Sequence, residues 1–162
     1  EYQEQKQKKT QHVIDSVKEF SKDEYKVDIF KLESPVHSNG LEGEISQATE
    51  EAFKDLSNAT NNKPWVVLSS GMGKDSFYKC LELAYKNGAS GYLAGRTIWL
   101  DAFNQYPNIE LVEEGLKVNS ISYVNKLNEL TAKKAQSLET YFNNGFKIDS
   151  PEQFSNNFGG FV

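Results

Sequence analysis

Between residues 64 and 96 the chain sets out two short apolar runs, Trp65-Val66-Val67-Leu68 and Tyr92-Leu93-Ala94. Each ends in small residues, Ser69-Ser70-Gly71 after the first and Gly95-Arg96 after the second. The segment joining them, Lys74 to Asn87, places Phe77, Cys80, Leu81 and Ala84 at i, i+3, i+4 and i+7, the period of a helix with one buried stripe. Gly88 follows where a left-handed C-cap is expected. A strand, a helix and a parallel strand make a right-handed crossover unit. Ligands of such sheets gather at the carboxyl ends of the strands, where these small residues fall.

The flanks repeat the alternation. Val13, Ile14, Val17 and Phe20 recur at helical spacing after a polar start over residues 1–9, so the chain is predicted to open with a helix whose first turns are solvated. Lys26 to Glu33 reads as a strand, since Val27, Ile29, Phe30 and Leu32 favour one and Pro35 ends it. His37 to Glu44 reads as a glycine-bearing loop, and Ile45 to Leu56 as a helix presenting Ala48, Ala52, Phe53 and Leu56. Beyond Arg96, a short helix is predicted over Thr97 to Phe103, broken by Pro107. A longer helical stretch follows over Ile109 to Ser137, with Leu111, Leu116, Ile121, Val124, Leu127 and Leu130 as its apolar stripe. Ser150-Pro151-Glu152-Gln153 has the form of a helix start. Alternating units of this kind predict an α/β fold with a parallel sheet.

Composition narrows the function classes. A formal charge of -5, from 18 Lys plus Arg against 23 Asp plus Glu, offers no electrostatic footprint for nucleic acid or an anionic membrane. The single cysteine, Cys80, lies on the apolar stripe of its helix, so it reads as a core residue and the expected compartment is a reducing, cytoplasmic one. No window is apolar enough for a membrane span and no apolar leader is apparent. His12 and His37 are too few and too far apart to suggest a zinc site, so no metal is expected.

Chemistry concentrates on the first strand. Side chains alternate along it, which puts Lys31 and Glu33 on one face and Phe30 and Leu32 on the other. A solvated edge is the common fate of such charges. A parallel strand between helices is normally covered on both sides, however, and there the pair is expected to face an active-site interior or to be paired within it. A desolvated lysine near a cation holds a free amine able to attack a ketone. Arg96 is placed to supply that cation and to grip a phosphate, with Ser70, Gly71 and Gly95 adding hydroxyl and backbone donors.

These residues resemble a known family. Phe30-Lys31-Leu32-Glu33-Ser34-Pro35-Val36, Glu42-Gly43, Trp65 to Gly71 and Gly88 to Trp99 match, in order and spacing, the C-terminal half of class I tagatose-1,6-bisphosphate aldolases and the related sulfofructose-phosphate aldolases. The resemblance covers about residues 10–130. It implies the C-terminal part, about strands six to eight, of a (β/α)8 TIM barrel, with residues 1–162 forming one partial-barrel domain and residues 135–162 an extension of unassigned packing. It further implies that Lys31 is the Schiff-base lysine of the sixth strand. Ser70, Gly71, Gly95 and Arg96 would hold the phosphate next to the ketone of a ketohexose bisphosphate, which is cleaved to dihydroxyacetone phosphate and glyceraldehyde 3-phosphate. Glu33 would be a partner or positioning group, because the family has a carboxylate here besides its catalytic one and draws its general base and distal phosphate site from the first five strands. No cofactor is implied. The chain is therefore expected to work with a companion, either the N-terminal half of a barrel or a second copy, and to be inactive alone. A phosphosugar-binding or structural half barrel is the alternative.

Overall fold

A computed structural model describes residues 2–142 of the chain. Helix α1 (Tyr2–Phe20) leads into strand β1 (Phe30–Leu32), helix α2 (Gln47–Ala59), strand β2 (Trp65–Leu68), helix α3 (Lys74–Lys86) and strand β3 (Gly91–Leu93). Three further helices follow, α4 (Arg96–Phe103), α5 (Ile109–Gly115) and α6 (Ile121–Lys134), the last two joined by a π-helical turn at Leu116–Ser120. The strands form one parallel sheet in the order β1-β2-β3. Lys31 pairs with Val66, and Val66 with Gly91, so these three residues share a rung.

The crossover unit forms as its residues dictate. Phe77, Cys80, Leu81 and Ala84 of α3 are fully buried, and they pack with Phe30, Leu32, Trp65 and Val67 from one face of the sheet. Ile14 and Val17 of α1, Phe53 and Leu56 of α2, and Leu127 and Leu130 of α6 complete this single core. Gly88 ends α3 at a φ of 85°, a conformation costly to any residue with a Cβ. The amides of Gly88 and Ala89 close back on the Tyr85 and Ala84 carbonyls at 3.1 and 3.0 Å. At the start of α2, Ser46 caps the Thr49 amide at 3.2 Å.

The structure departs from the sequence reading in four places. The strand predicted from Lys26 begins only at Phe30, because Lys26 adopts a left-handed φ of 49° that closes a 3-10 turn over Asp23–Tyr25. The predicted loop from His37 contains a 3-10 turn, Ser38–Leu41, that drives Leu41 into the core. Helix α2 starts at Gln47 and runs past Leu56 to Ala59, with Ala48 exposed. The largest departure is in the long C-terminal helical stretch. Leu127 and Leu130 of the predicted stripe are buried and Val124 is half-buried, but Leu111, Leu116 and Ile121 are exposed and Val112 and Tyr123 are buried instead, on either side of a π turn that adds a residue to one helical turn. The predicted start at Ser150-Pro151 lies outside the described residues, as does most of the 135–162 extension. No helix among the described residues is long and apolar enough to cross a membrane.

Candidate active site

At the carboxyl end of β2 the chain turns sharply. Ser70 and Gly71 take consecutive left-handed values, φ 49° and 76°, which is strained for serine and free for glycine. The turn is closed by the Met72 amide on the Ser69 carbonyl at 2.9 Å, and the ladder extends above β3 through the Ser69 amide on the Leu93 carbonyl at 3.0 Å. At the neighbouring mouth, Gly95 caps α4, and Arg96 is that helix's first residue. The two mouths touch. A Cβ placed on Gly71 would lie 3.5 Å from the Arg96 guanidinium, so the arginine packs over the bare glycine backbone.

Two further contacts tie the mouths together. The Thr97 hydroxyl, buried at the start of α4, donates to the Met72 carbonyl at 2.8 Å. Lys74, at the start of α3, pairs with Asp101 of α4 at 3.0 Å. The Ile98 amide bonds the Gly95 carbonyl at 2.8 Å, and the amides of the N-terminal residues ahead of it, with the exposed Arg96, offer an anion both donors and positive charge.

Lys31 stands two rungs below the last rung of the sheet, Leu68 with Leu93, on the face opposite the helical core, and is exposed. Its rung neighbours Val66 and Gly91 add little bulk to that face, where a Cβ on Gly91 would rest 3.4 Å from Val66. A cleft of about 330 Å³ opens beside it, lined by His12 and Ser16 of α1 together with Lys31, Glu33 and Leu68. The alternative in which Lys31 and Glu33 pair with each other is corrected here. Glu33 pairs with Lys9 of α1 at 3.1 Å, and the neighbouring Thr10 hydroxyl donates to the Pro35 carbonyl at 2.8 Å, so α1 brings its own cation to the strand's end.

The structure thus joins Gly71, Gly95 and Arg96 in one cradle with Ser70 in the adjoining turn, sets Lys31 on the same sheet, and draws Glu33 to the α1 side. Sequence reasoning missed Lys9 as the partner of Glu33, and it missed Thr97 as the bond between the mouths. Only the position of Thr97 directly after Gly95-Arg96 could have signalled the latter. Cys80 has no part in the site. Burial pushes its thiol up from 9.0 to about 12, with a weaker opposing effect from the Ser34 hydroxyl, so it is inert as a nucleophile.

Known proteins share this arrangement of sequence. A family model described as "DeoC/LacD family aldolase" matches residues 1–101. The chain is similar to tagatose 1,6-diphosphate aldolase 1 of Enterococcus faecalis, 33% identical over 139 residues, which is 80% of this chain and 43% of that protein. It is 35% identical over 142 residues to tagatose 1,6-diphosphate aldolase 2 of the same organism, 80% of this chain and 42% of the relative. A tagatose 1,6-diphosphate aldolase of Staphylococcus epidermidis is 36% identical over 116 residues, 66% of this chain and 34% of its own length. The chain accordingly spans less than half the length of the curated relatives it matches. With the family model covering more than half of its residues, including β1, β2, β3 and both mouths, the chain belongs to the DeoC/LacD aldolase family.

Proposed function

We propose that this chain carries the Schiff-base lysine and one phosphate grip of a class I aldolase acting on a ketohexose bisphosphate such as tagatose 1,6-bisphosphate. The contact between the Arg96 guanidinium and Gly71 supports this reading most strongly, since it makes one cationic, donor-rich cradle from two strand ends at the sheet position where barrel phosphate sites recur. In the reaction, the Lys31 amine attacks the ketone carbon held beside the phosphate and water leaves, giving an iminium. A general base then takes the proton from the C4 hydroxyl. The C3–C4 bond breaks, its electron pair passes to the iminium as an enamine, and glyceraldehyde 3-phosphate departs. Protonation of the enamine and hydrolysis release dihydroxyacetone phosphate and restore the amine.

Glu33 is engaged by Lys9, so its part is positioning, and the base is assigned to a segment outside the described residues. Among the described residues β1 and β3 are the two edges of a three-stranded sheet, and three strands cannot close into a barrel. The whole of residues 1–162 is read as one partial-barrel unit corresponding to strands six to eight. A further segment, the N-terminal half of a barrel or a second copy of this chain, completes it, and the chain alone captures a ketone without cleaving a sugar.

Borohydride reduction in the presence of dihydroxyacetone phosphate tests this. The expected product is a covalent adduct at Lys31, absent from Lys31→Met and much reduced in Arg96→Ala. An unmodified Lys31 after reduction sinks the aldolase reading. The exposure of Lys31 favours one second reading, a phosphosugar-binding unit without lyase chemistry. It predicts a raised melting temperature with dihydroxyacetone phosphate and no adduct.

A further inference from the structure

We infer that Thr97 is a positioning residue, a hydroxyl clamp that fixes the turn after β2 against the Arg96 guanidinium so that the two mouths bind one phosphate as a unit. The inference rests on the phosphate-grip reading above and adds to it a residue that touches no substrate. Its basis is local. The turn holds two consecutive left-handed residues, Ser70 and Gly71, and at Ser70 that conformation persists only where the surroundings impose it. One end of the turn is closed internally, Met72 amide to Ser69 carbonyl. The other end, the Met72 carbonyl, is held from across the site by the Thr97 hydroxyl at 2.8 Å, a fully buried bond between residues 25 positions apart.

Thr97 directly follows Arg96 in sequence, so the same bond that anchors the turn also sets where α4 begins. One hydroxyl thus links the turn that carries Gly71 directly to the helix start that carries Arg96. The salt bridge between Lys74 and Asp101 spans the same two helices, but Asp101 is largely exposed and such a pair contributes little to geometry. Without the hydroxyl the Met72 carbonyl loses its partner in a buried place, and the turn is free to relax away from the arginine.

The test is a titration of the full chain with inorganic phosphate, followed by the NMR signal of the Arg96 side-chain N–H and, separately, by thermal melts. Thr97→Val keeps the shape and removes the donor, and is expected to weaken phosphate binding about tenfold, equivalent to about 1.4 kcal/mol. Thr97→Ser restores the hydroxyl and should bring the affinity back towards that of the wild type. The matched control is Thr10→Val, which removes a bond of the same kind, Thr10 hydroxyl to Pro35 carbonyl at 2.8 Å, away from the mouths. It should lower the melting temperature and leave phosphate affinity unchanged. If Thr97→Val does not fold, Thr97→Cys, a weak donor of similar size, takes its place with the same expectation.

Wild-type affinity in Thr97→Val, no rescue by serine, or an equal loss in Thr10→Val overturns the clamp while leaving the phosphate site standing. A wild-type chain whose phosphate affinity is no better than that of Arg96→Ala overturns the site reading and the clamp with it.

Discussion

The two faces of one small sheet have been put to opposite uses. On one face Phe30, Leu32, Trp65 and Val67 are buried beneath the helices. On the other, one residue along in each strand, Lys31 and Leu93 are exposed while Val66 and Leu68 are half-buried. Alternation at period two makes this division possible, because each strand assigns its even and odd positions to different solvents. The lesson is that stability and chemistry are separable here at single-residue resolution. Substitutions on the helical face should unfold the chain, and those on the other face should change what it binds.

The heaviest consequence falls on Trp65, which is 1% exposed at the centre of the packed face. Trp65→Ala should cost about 3–5 kcal/mol, read as a lowered urea midpoint at unchanged slope. A cost under about 1 kcal/mol would mean that the helices do not pack on this face as described.

Next comes the alkaline limit of the same packed region. Cys80 is fully buried under the sheet and its thiol is pushed up from 9.0 to about 12 by desolvation. Below pH 9 the thiol is neutral in both folded and unfolded chains and has no effect on stability. As pH rises past 9 the unfolded chain releases this proton while the folded chain keeps it to about 12, so the unfolded state is favoured progressively. Tyr85, raised from 10.0 to about 12 by burial and then opposed by its Thr131 hydrogen bond, acts in the same direction from one pH unit higher. Stability should therefore fall across this window by up to about 1.4 kcal/mol per pH unit for each proton. Denaturation curves at successive pH values check it. Cys80→Ala should flatten the first part of the decline, and an unchanged slope in that variant removes Cys80 as its cause.

The contrast between the faces also shows what could be read in advance. The crossover unit was legible because every signal agreed: the stripe on α3, the αL glycine at residue 88 and the apolar runs of β2 and β3 all describe the same object. Lys31, Gly71 and Arg96 were legible as chemistry-bearing types at strand ends, with the family resemblance supplying a reaction. What sequence could not show is which charge meets which. Lys9 and Glu33 are joined only because α1 meets the chain just past the end of β1, a tertiary fact without a local signature. The C-terminal helices were legible only in part, with Leu127 and Leu130 buried as read and Leu111, Leu116 and Ile121 exposed. Their apolar positions are real, but the π turn at Leu116–Ser120 shifts the phase, and nothing in that segment's composition announces the inserted residue.

Gly115, just before that turn, gives an intermediate effect. A Cβ there would lie 2.9 Å from the Ala102 Cβ, so α4 and α5 cross where only glycine fits. Gly115→Val should push α4 outwards and cost about 1–3 kcal/mol in urea denaturation. Because α4 carries Arg96, the same variant should weaken phosphate binding although residue 115 is far along the chain from either mouth. Retained affinity alongside lost stability would show that the start of α4 is held by its own hydrogen bonds, Thr97 to Met72 and Ser120 to Ile98, and not by the crossing behind it.

The smallest effect is expected on the open face. Leu93 is 46% exposed at the end of β3, so Leu93→Ser removes apolar surface that folding has only partly buried. It should shift stability by less than about 0.5 kcal/mol, as exposed substitutions do. The same residue lies on the face that carries Lys31, and any segment that closes the sheet would cover it. Leu93→Ser should then weaken association with that companion far more than it weakens the fold, a difference visible by measuring urea midpoints and sedimentation side by side. A loss above about 2 kcal/mol in the chain alone would place Leu93 in the folded core, and the division of labour between the two faces would have to be redrawn.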